Sequence, residues 1–234
     1  MPVIIKKAPD IHPSEITPKS VYMNRRKFMQ RSVAGSLLLS VDALQPLLAD
    51  IQSGQKWPSL NKSKFSTDEV LNSFEDITTY NNFYEFGSGK KDPHKNATEF
   101  DPQPWSIVVE GECDKKGTYD LEDFVNSSML EERIYRLRCV EGWSMVIPWV
   151  GFPLAKLLEE VEPTSDAKYV RLQTVNDPAR MPGMSAPWYE WPYTEGLRLD
   201  EAMNDLTLMA TGLYGESLPG QSGAPIRLVV PWKY

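Results

Sequence analysis

Nineteen prolines against 14 glycines constrain this chain more than any other feature. Each proline fixes φ and removes a backbone donor, so long uninterrupted helices are excluded and stiff, proline-shaped loops are expected. A helical bundle is therefore set aside. Apolar residues make up 41% and charged residues 24%, with 7 Trp, 10 Tyr and 8 Phe, which is enough to build a packed core and excludes disordered and fibrous classes. A length of 234 residues allows one large domain or two small ones. No period of a solenoid or propeller is visible.

Charge divides the chain. Residues 1–31 carry seven Lys/Arg against Asp10 and Glu15, a net +5, whereas the chain from Ala43 onward carries 18 basic and 29 acidic residues, a net −11. An acidic body repels phosphate backbones, so nucleic acid is not an expected partner. The basic start leads into the apolar run Ser32–Val41, of signal-peptide length and too short to span a membrane. Arg25-Arg26 directly before it, in Asn24-Arg25-Arg26-Lys27-Phe28-Met29-Gln30, resembles a twin-arginine export signal, with a cut expected after Ala49. This predicts a signal over 1–49, a polar tether over 50–65, and a working domain over 66–234 in the periplasm.

Within that domain, Ser66-Thr67-Asp68-Glu69 reads as a cap and acidic first turn for a short helix carrying Val70, Leu71, Phe74 and Ile77. The stretch 80–87 has neither helical nor strand periodicity. Strands are predicted over 105–109, from Arg133 to Cys139, over 168–174, over 206–213 and over 226–230. A helix opens at Pro153, buries Leu154, Leu157, Leu158 and Val161, and is closed by Pro163. From Arg133, Tyr135, Leu137 and Cys139 share one face and Ile134, Arg136 and Arg138 the other, which places Cys139 on the core side at a strand end. The expected class is α+β and β-rich. The strand over 226–230 has two largely apolar faces and is followed almost at once by Tyr234, so the domain is expected to be incomplete at its C-terminus.

Chemistry is narrowed by what is scarce. There are two cysteines and two histidines, with no zinc spacing, nucleophile elbow, phosphate loop or dinucleotide fingerprint. What remains is Cys139 among Arg136 and Arg138, whose charges favour the thiolate that binds soft metals. In an extended backbone Glu141 shares its face and could hold a proton nearby. The alternatives at this point are a buried core cysteine and, in an exported chain, a disulfide to Cys113.

The segment Arg138-Cys139-Val140-Glu141-Gly142-Trp143-Ser144-Met145-Val146-Ile147-Pro148-Trp149-Val150-Gly151-Phe152-Pro153-Leu154 resembles the molybdenum-cysteine segment of the MsrP-type protein-methionine-sulfoxide reductases, within the sulfite oxidase fold superfamily. Tyr80-Asn81-Asn82-Phe83-Tyr84-Glu85-Phe86-Gly87, Glu195–Met203 and Gly223–Tyr234 carry the same resemblance, which covers about residue 75 to the end. It implies a sulfite-oxidase-type molybdopterin-binding domain holding molybdenum-molybdopterin, with Cys139 as the thiolate ligand. It also implies pterin contacts from Asn81, Tyr84, Glu85 and Thr174, and Arg227 near the cofactor phosphate, where a guanidinium fork suits phosphate oxygens. Ser222 stands where the family carries asparagine.

The implied activity is oxygen-atom transfer from methionine sulfoxide in oxidised exported proteins, with Cys139 and Glu141 as the catalytic pair and Glu141 as a proton relay. Electrons would come from a haem-containing membrane subunit of the MsrQ type. Two other readings compete: a sulfite-oxidase-like enzyme, which would want a more cationic pocket than Val140-Glu141-Gly142-Trp143 offers, and a cofactor-free exported binding module using the aromatics of 188–193.

Overall fold

A computed structural model describes residues 56–57, 60–125 and 130–232. The predicted signal over 1–49 lies outside the described residues, as does part of the polar stretch 50–65. Elements in chain order are β1 (Asn61–Lys62), α1 (Phe74–Thr79), a 3-10 turn (Tyr84–Phe86), α2 (Asp92–Asn96), β2 (Ser106–Val109), β3 (Gly117–Asp120), α3 (Leu121–Phe124), β4 (Glu131–Arg138), β5 (Ser144–Pro153), α4 (Leu154–Val161), β6 (Tyr169–Gln173), β7 (Thr194–Arg198), α5 (Leu199–Ala202), β8 (Leu208–Leu213), β9 (Glu216–Ser217) and β10 (Arg227–Val229). The β-rich α+β class is as expected.

One sheet dominates, in the order β1-β4-β5-β8-β10 with β9 paired to β8. Its centre is the β4–β5 hairpin, in register from Glu131 opposite Gly151 to Arg138 opposite Ser144. Strand β5 is buried on both faces. Met145, Ile147 and Trp149 enter one core with Tyr135, Ala210 and Leu213, while Val150 and Phe152 enter a second with Leu154, Leu157, Leu158 and Val161. A strand covered on both faces loses the apolar/polar alternation that marks a half-exposed strand, which is why the sequence pattern did not announce β5. The register with β8 shifts between Val150 and Gly151, and a Cβ on Gly151 would stand 2.2 Å from the Met209 carbonyl oxygen, so only glycine fits.

Helix α4 has the boundaries the prolines set, with Pro153 before its first turn and Glu162 in the left-handed conformation after its last. Its leucines each contribute on the order of 1.5–3 kcal/mol by burial. Helix α1 differs from expectation. It starts at Phe74, capped by Ser73 Oγ, which accepts from Asp76 N at 3.0 Å. The expected cap at Ser66–Glu69 fails because the sheet captures that backbone: Thr67 N donates to Ile134 O at 3.0 Å, Asn72 N to Val146 O at 3.2 Å, and Glu69 pairs with Arg136. Asn61 and Lys62 of the polar stretch likewise pair in parallel with Glu131 and Glu132.

Candidate cofactor site

Cys139 sits at the tip of the β4–β5 hairpin. The turn is closed by Cys139 N donating to Trp143 O at 2.9 Å and by Gly142 N donating to Cys139 O at 3.0 Å, with Gly142 at φ 84°. Positive φ at that position suits glycine and few other residues. The backbone after Cys139 is thus a turn rather than the extended chain expected, and Glu141 approaches the sulfur by a different route. Its own N–H points at Cys139 Sγ at 3.5 Å, while Asn82 Nδ2 donates to the same sulfur at 3.3 Å. Both cysteines are free thiols, Cys113 being buried, so the disulfide alternative is set aside.

The arginines play another part than the one expected. Arg136 is engaged by Glu69 and donates to Ser144 Oγ at 2.7 Å, and the charge of Arg138 also acts on Glu69. The cation bonded to both residues that donate to the thiol is Lys90. Its Nζ lies 2.6 Å from Glu141 Oε1 and donates to Asn82 Oδ1, and it stands 5.6 Å from the centre of the Tyr84 ring. Burial pulls the ammonium pKa down, but the Glu141 hydrogen bond and the charges of Tyr84 and Glu141 outweigh it and leave it raised. Glu141 Oε2 accepts from Trp143 Nε1 at 2.9 Å, and the hydrogen bonds from Lys90 and Trp143 hold this carboxyl below its usual range. Both of its oxygens are thereby hydrogen-bonded, one to Lys90 and one to Trp143.

The other expected contacts converge on one cleft of about 2210 Å³, which Asn81, Tyr84, Glu85, Cys139, Thr174 and Arg227 all line; Glu141 does not line it. Asn81 is fixed by its N–H to Lys90 O at 3.0 Å and by Nδ2 to Ile77 O at 2.9 Å, leaving Oδ1 buried without a partner. Thr174 N donates to Tyr193 O at 3.0 Å. Glu85 is buried at 6% exposure, and desolvation raises its pKa against the opposing pull of Arg227. Tyr193 Oη donates to Glu195 at 2.9 Å, and burial with the nearby carboxylates pushes it up to about 12.

Arg227, on β10, donates Nη1 to Ser222 O at 3.0 Å and stacks 5.0 Å from the Trp149 ring, but its Nε has no partner. Burial pushes its pKa down to about 10, with Glu85 opposing. Ser222 Oγ, at the departure from the family, is also buried and unpaired.

Lys90, Asn82 and Gly183 escaped the sequence reading. Lys90 lies in a polar Gly/Lys/Pro stretch that looks like solvated loop, and Asn82 looks like a twin of Asn81. Gly183 carries no motif at all, yet a Cβ there would meet Tyr84 O at 2.0 Å, so its backbone abuts the turn that presents Tyr84 and Glu85.

These donors fit an anionic pterin cofactor. A half-buried guanidinium whose Nε is unpaired among the described residues can take a phosphate oxygen, and the sulfur with two N–H groups aimed at it is a soft metal ligand. Among the described residues no group of three or more His, Cys, Asp or Glu could hold a metal.

Comparison with known proteins agrees with this chemistry. Residues 94–234 match the oxidoreductase molybdopterin binding domain, and the chain belongs to that family. It is 52% identical over 229 residues to the protein-methionine-sulfoxide reductase catalytic subunit MsrP of Burkholderia mallei, covering 96% of this chain and 69% of the relative. It is 51% identical over 239 residues to the corresponding subunit of Pseudomonas syringae pv. tomato, covering 94% and 70%. Within the wider class the chain is therefore a member of the MsrP family. Among solved structures it is similar to the sulfane dehydrogenase SoxCD of Paracoccus pantotrophus, at 18% identity and a TM-score of 0.47, and spans 55% of that chain.

Proposed function

We propose that this chain is the catalytic part of a periplasmic reductase that returns methionine sulfoxide in oxidised proteins to methionine. The observation that carries the reading is the Cys139 thiol, displayed on a hairpin turn with two N–H donors on its sulfur, in the same cleft as a half-buried, partly unpaired arginine. The family relationship gives that arrangement its cofactor class.

When bound, molybdenum-molybdopterin supplies the two-electron redox chemistry. Cys139 Sγ would ligate the metal, and Asn82 Nδ2 and the Glu141 N–H would orient that sulfur by their hydrogen bonds. Asn81, Tyr84, Glu85 and Thr174 would bracket the pterin, and Arg227 would take its phosphate. Repair of one methionine sulfoxide breaks the S–O bond, consumes two electrons and two protons, and releases methionine and water. Cys139 opens onto a wide cleft, so protons can reach it from solvent. Electrons would come from a haem-containing membrane subunit of the MsrQ type, a reading supported by the relatives' being catalytic subunits, which implies a partner subunit.

Export by the twin-arginine route fits a cofactor loaded before transport. The test is molybdenum and pterin analysis of the protein from the periplasm, with reduction of a methionine-sulfoxide protein by a reduced dye. The expected result is near-stoichiometric metal and turnover, with Arg25→Lys/Arg26→Lys leaving the protein in the cytoplasm. A periplasmic protein without molybdenum would overturn the reading, and undiminished export of the double variant would overturn the route.

A further inference from the structure

We infer that Lys90 is a positioning residue that fixes how Asn82 and Glu141 meet the Cys139 sulfur. This rests on the proposed ligation by Cys139 and assigns the control of that ligand to a side chain outside the hairpin.

An ammonium has three donors and no acceptor, and a primary amide has one acceptor oxygen. With Lys90 Nζ on Asn82 Oδ1, the amide plane is fixed and Nδ2 is turned to the sulfur at 3.3 Å. The reversed amide would set its NH₂ against the ammonium, a repulsive contact of two donors, and would take the donor away from the sulfur. Lys90 thereby selects donation to sulfur. The same Nζ holds Glu141 Oε1 at 2.6 Å, while Trp143 Nε1 holds Oε2, which anchors the residue whose backbone N–H is the second donor to Sγ. Lys90 also accepts Asn81 N on its carbonyl oxygen, so one residue holds both asparagines. Its side chain is only 24% exposed and joins segments 51 positions apart in the chain, unlike an incidental surface pair. Partners that orient a metal ligand in this way tune both geometry and affinity.

The test uses the full chain, ¹⁵N-labelled, as wild type, Lys90→Met and Lys90→Arg. In Lys90→Met the Asn82 side-chain amide and Trp143 indole resonances should both move, with or without cofactor, and Lys90→Arg should return them towards wild type. In the loaded enzyme Lys90→Met should keep its molybdenum, shift or broaden the paramagnetic signal of the partly reduced metal, and lower kcat by on the order of 10-fold with little change in KM. Stationary resonances, or a metal signal superposable on wild type, would overturn the inference. Loss of molybdenum in step with loss of the signal would also overturn it, since Lys90 would then be a brace for the loop. A wild-type protein lacking both molybdenum and sulfoxide reduction would sink the cofactor reading instead, and the two resonances would then decide on Lys90 by themselves.

Discussion

Around Cys139 the polar side chains are bonded to one another, whereas around Arg227 two buried atoms, its own Nε and Ser222 Oγ, have no partner among the described residues. An unpaired buried polar group costs roughly 1–3 kcal/mol, so a fold does not carry two of them side by side without compensation. The contrast separates two tasks. The sulfur must have one geometry before any ligand arrives, and the chain supplies all of its donors. The arginine end is an anchor whose hydrogen bonds are left for an incoming anion to complete, which couples cofactor binding to stability.

The comparison breaks most visibly at the sulfur. Cys139→Ser should lower sulfoxide reduction by at least about 100-fold, because a serine hydroxyl is a hard, weakly acidic replacement for a soft thiolate. Cys113→Ala, which alters a buried thiol whose backbone bridges to Pro163 on the lining of the same cleft, should stay within a few-fold of wild type. Steady-state assays matched for metal content make the comparison, and equal losses in the two variants would return the cysteines to a shared structural role.

Much of this site was legible because motif wording survives folding. Cys139, Asn81, Tyr84, Glu85, Thr174 and Arg227 all reach one cleft from four separate stretches of chain. Helix α4 was also legible, since its ends are set locally by Pro153 and Pro163. What failed was whatever depended on tertiary competition. The cap at Ser66 lost its backbone to β4, β5 hid because both of its faces are buried, and the extended geometry assumed for Glu141 became a turn because Gly142 takes positive φ. Lys90 could not be found by spacing, since its partners lie in the loop beside it and in a hairpin 51 residues away.

A smaller effect sharpens the anchoring end. Arg227→Met keeps much of the packing on Trp149 but removes the half-buried guanidinium, deleting the charge-assisted hydrogen bonds expected with a phosphate. At roughly 1.5–3 kcal/mol for such bonds, cofactor affinity should fall about 10- to 100-fold. Protein prepared at limiting cofactor should then carry less molybdenum and lose the rise in Tm that loading gives the wild type. Unloaded Arg227→Met should be no less stable than unloaded wild type, because an underpaired, half-buried cation has been removed. Full metal loading in the variant would place the phosphate elsewhere.

The smallest effect concerns Glu85, the carboxylate that faces Arg227 across the site. Burial raises its pKa above the unfolded value of about 4.5, and Arg227 reduces that rise without cancelling it. The native state therefore binds more protons than the unfolded state in the interval above the unfolded pKa, and linkage makes stability fall as pH rises through that interval. Below the unfolded pKa the group is neutral in both states and contributes no pH dependence. Glu85→Gln removes the titration, so the Tm of the variant minus that of wild type should become more positive between pH 4 and pH 7, by on the order of a few °C. Thermal melts of unloaded protein across that range test it. A difference that is flat with pH, or that runs the other way, would mean that Arg227 holds Glu85 ionised in the fold, so that the anchoring end is already neutralised from within and its unpaired Nε is no vacancy for an anion.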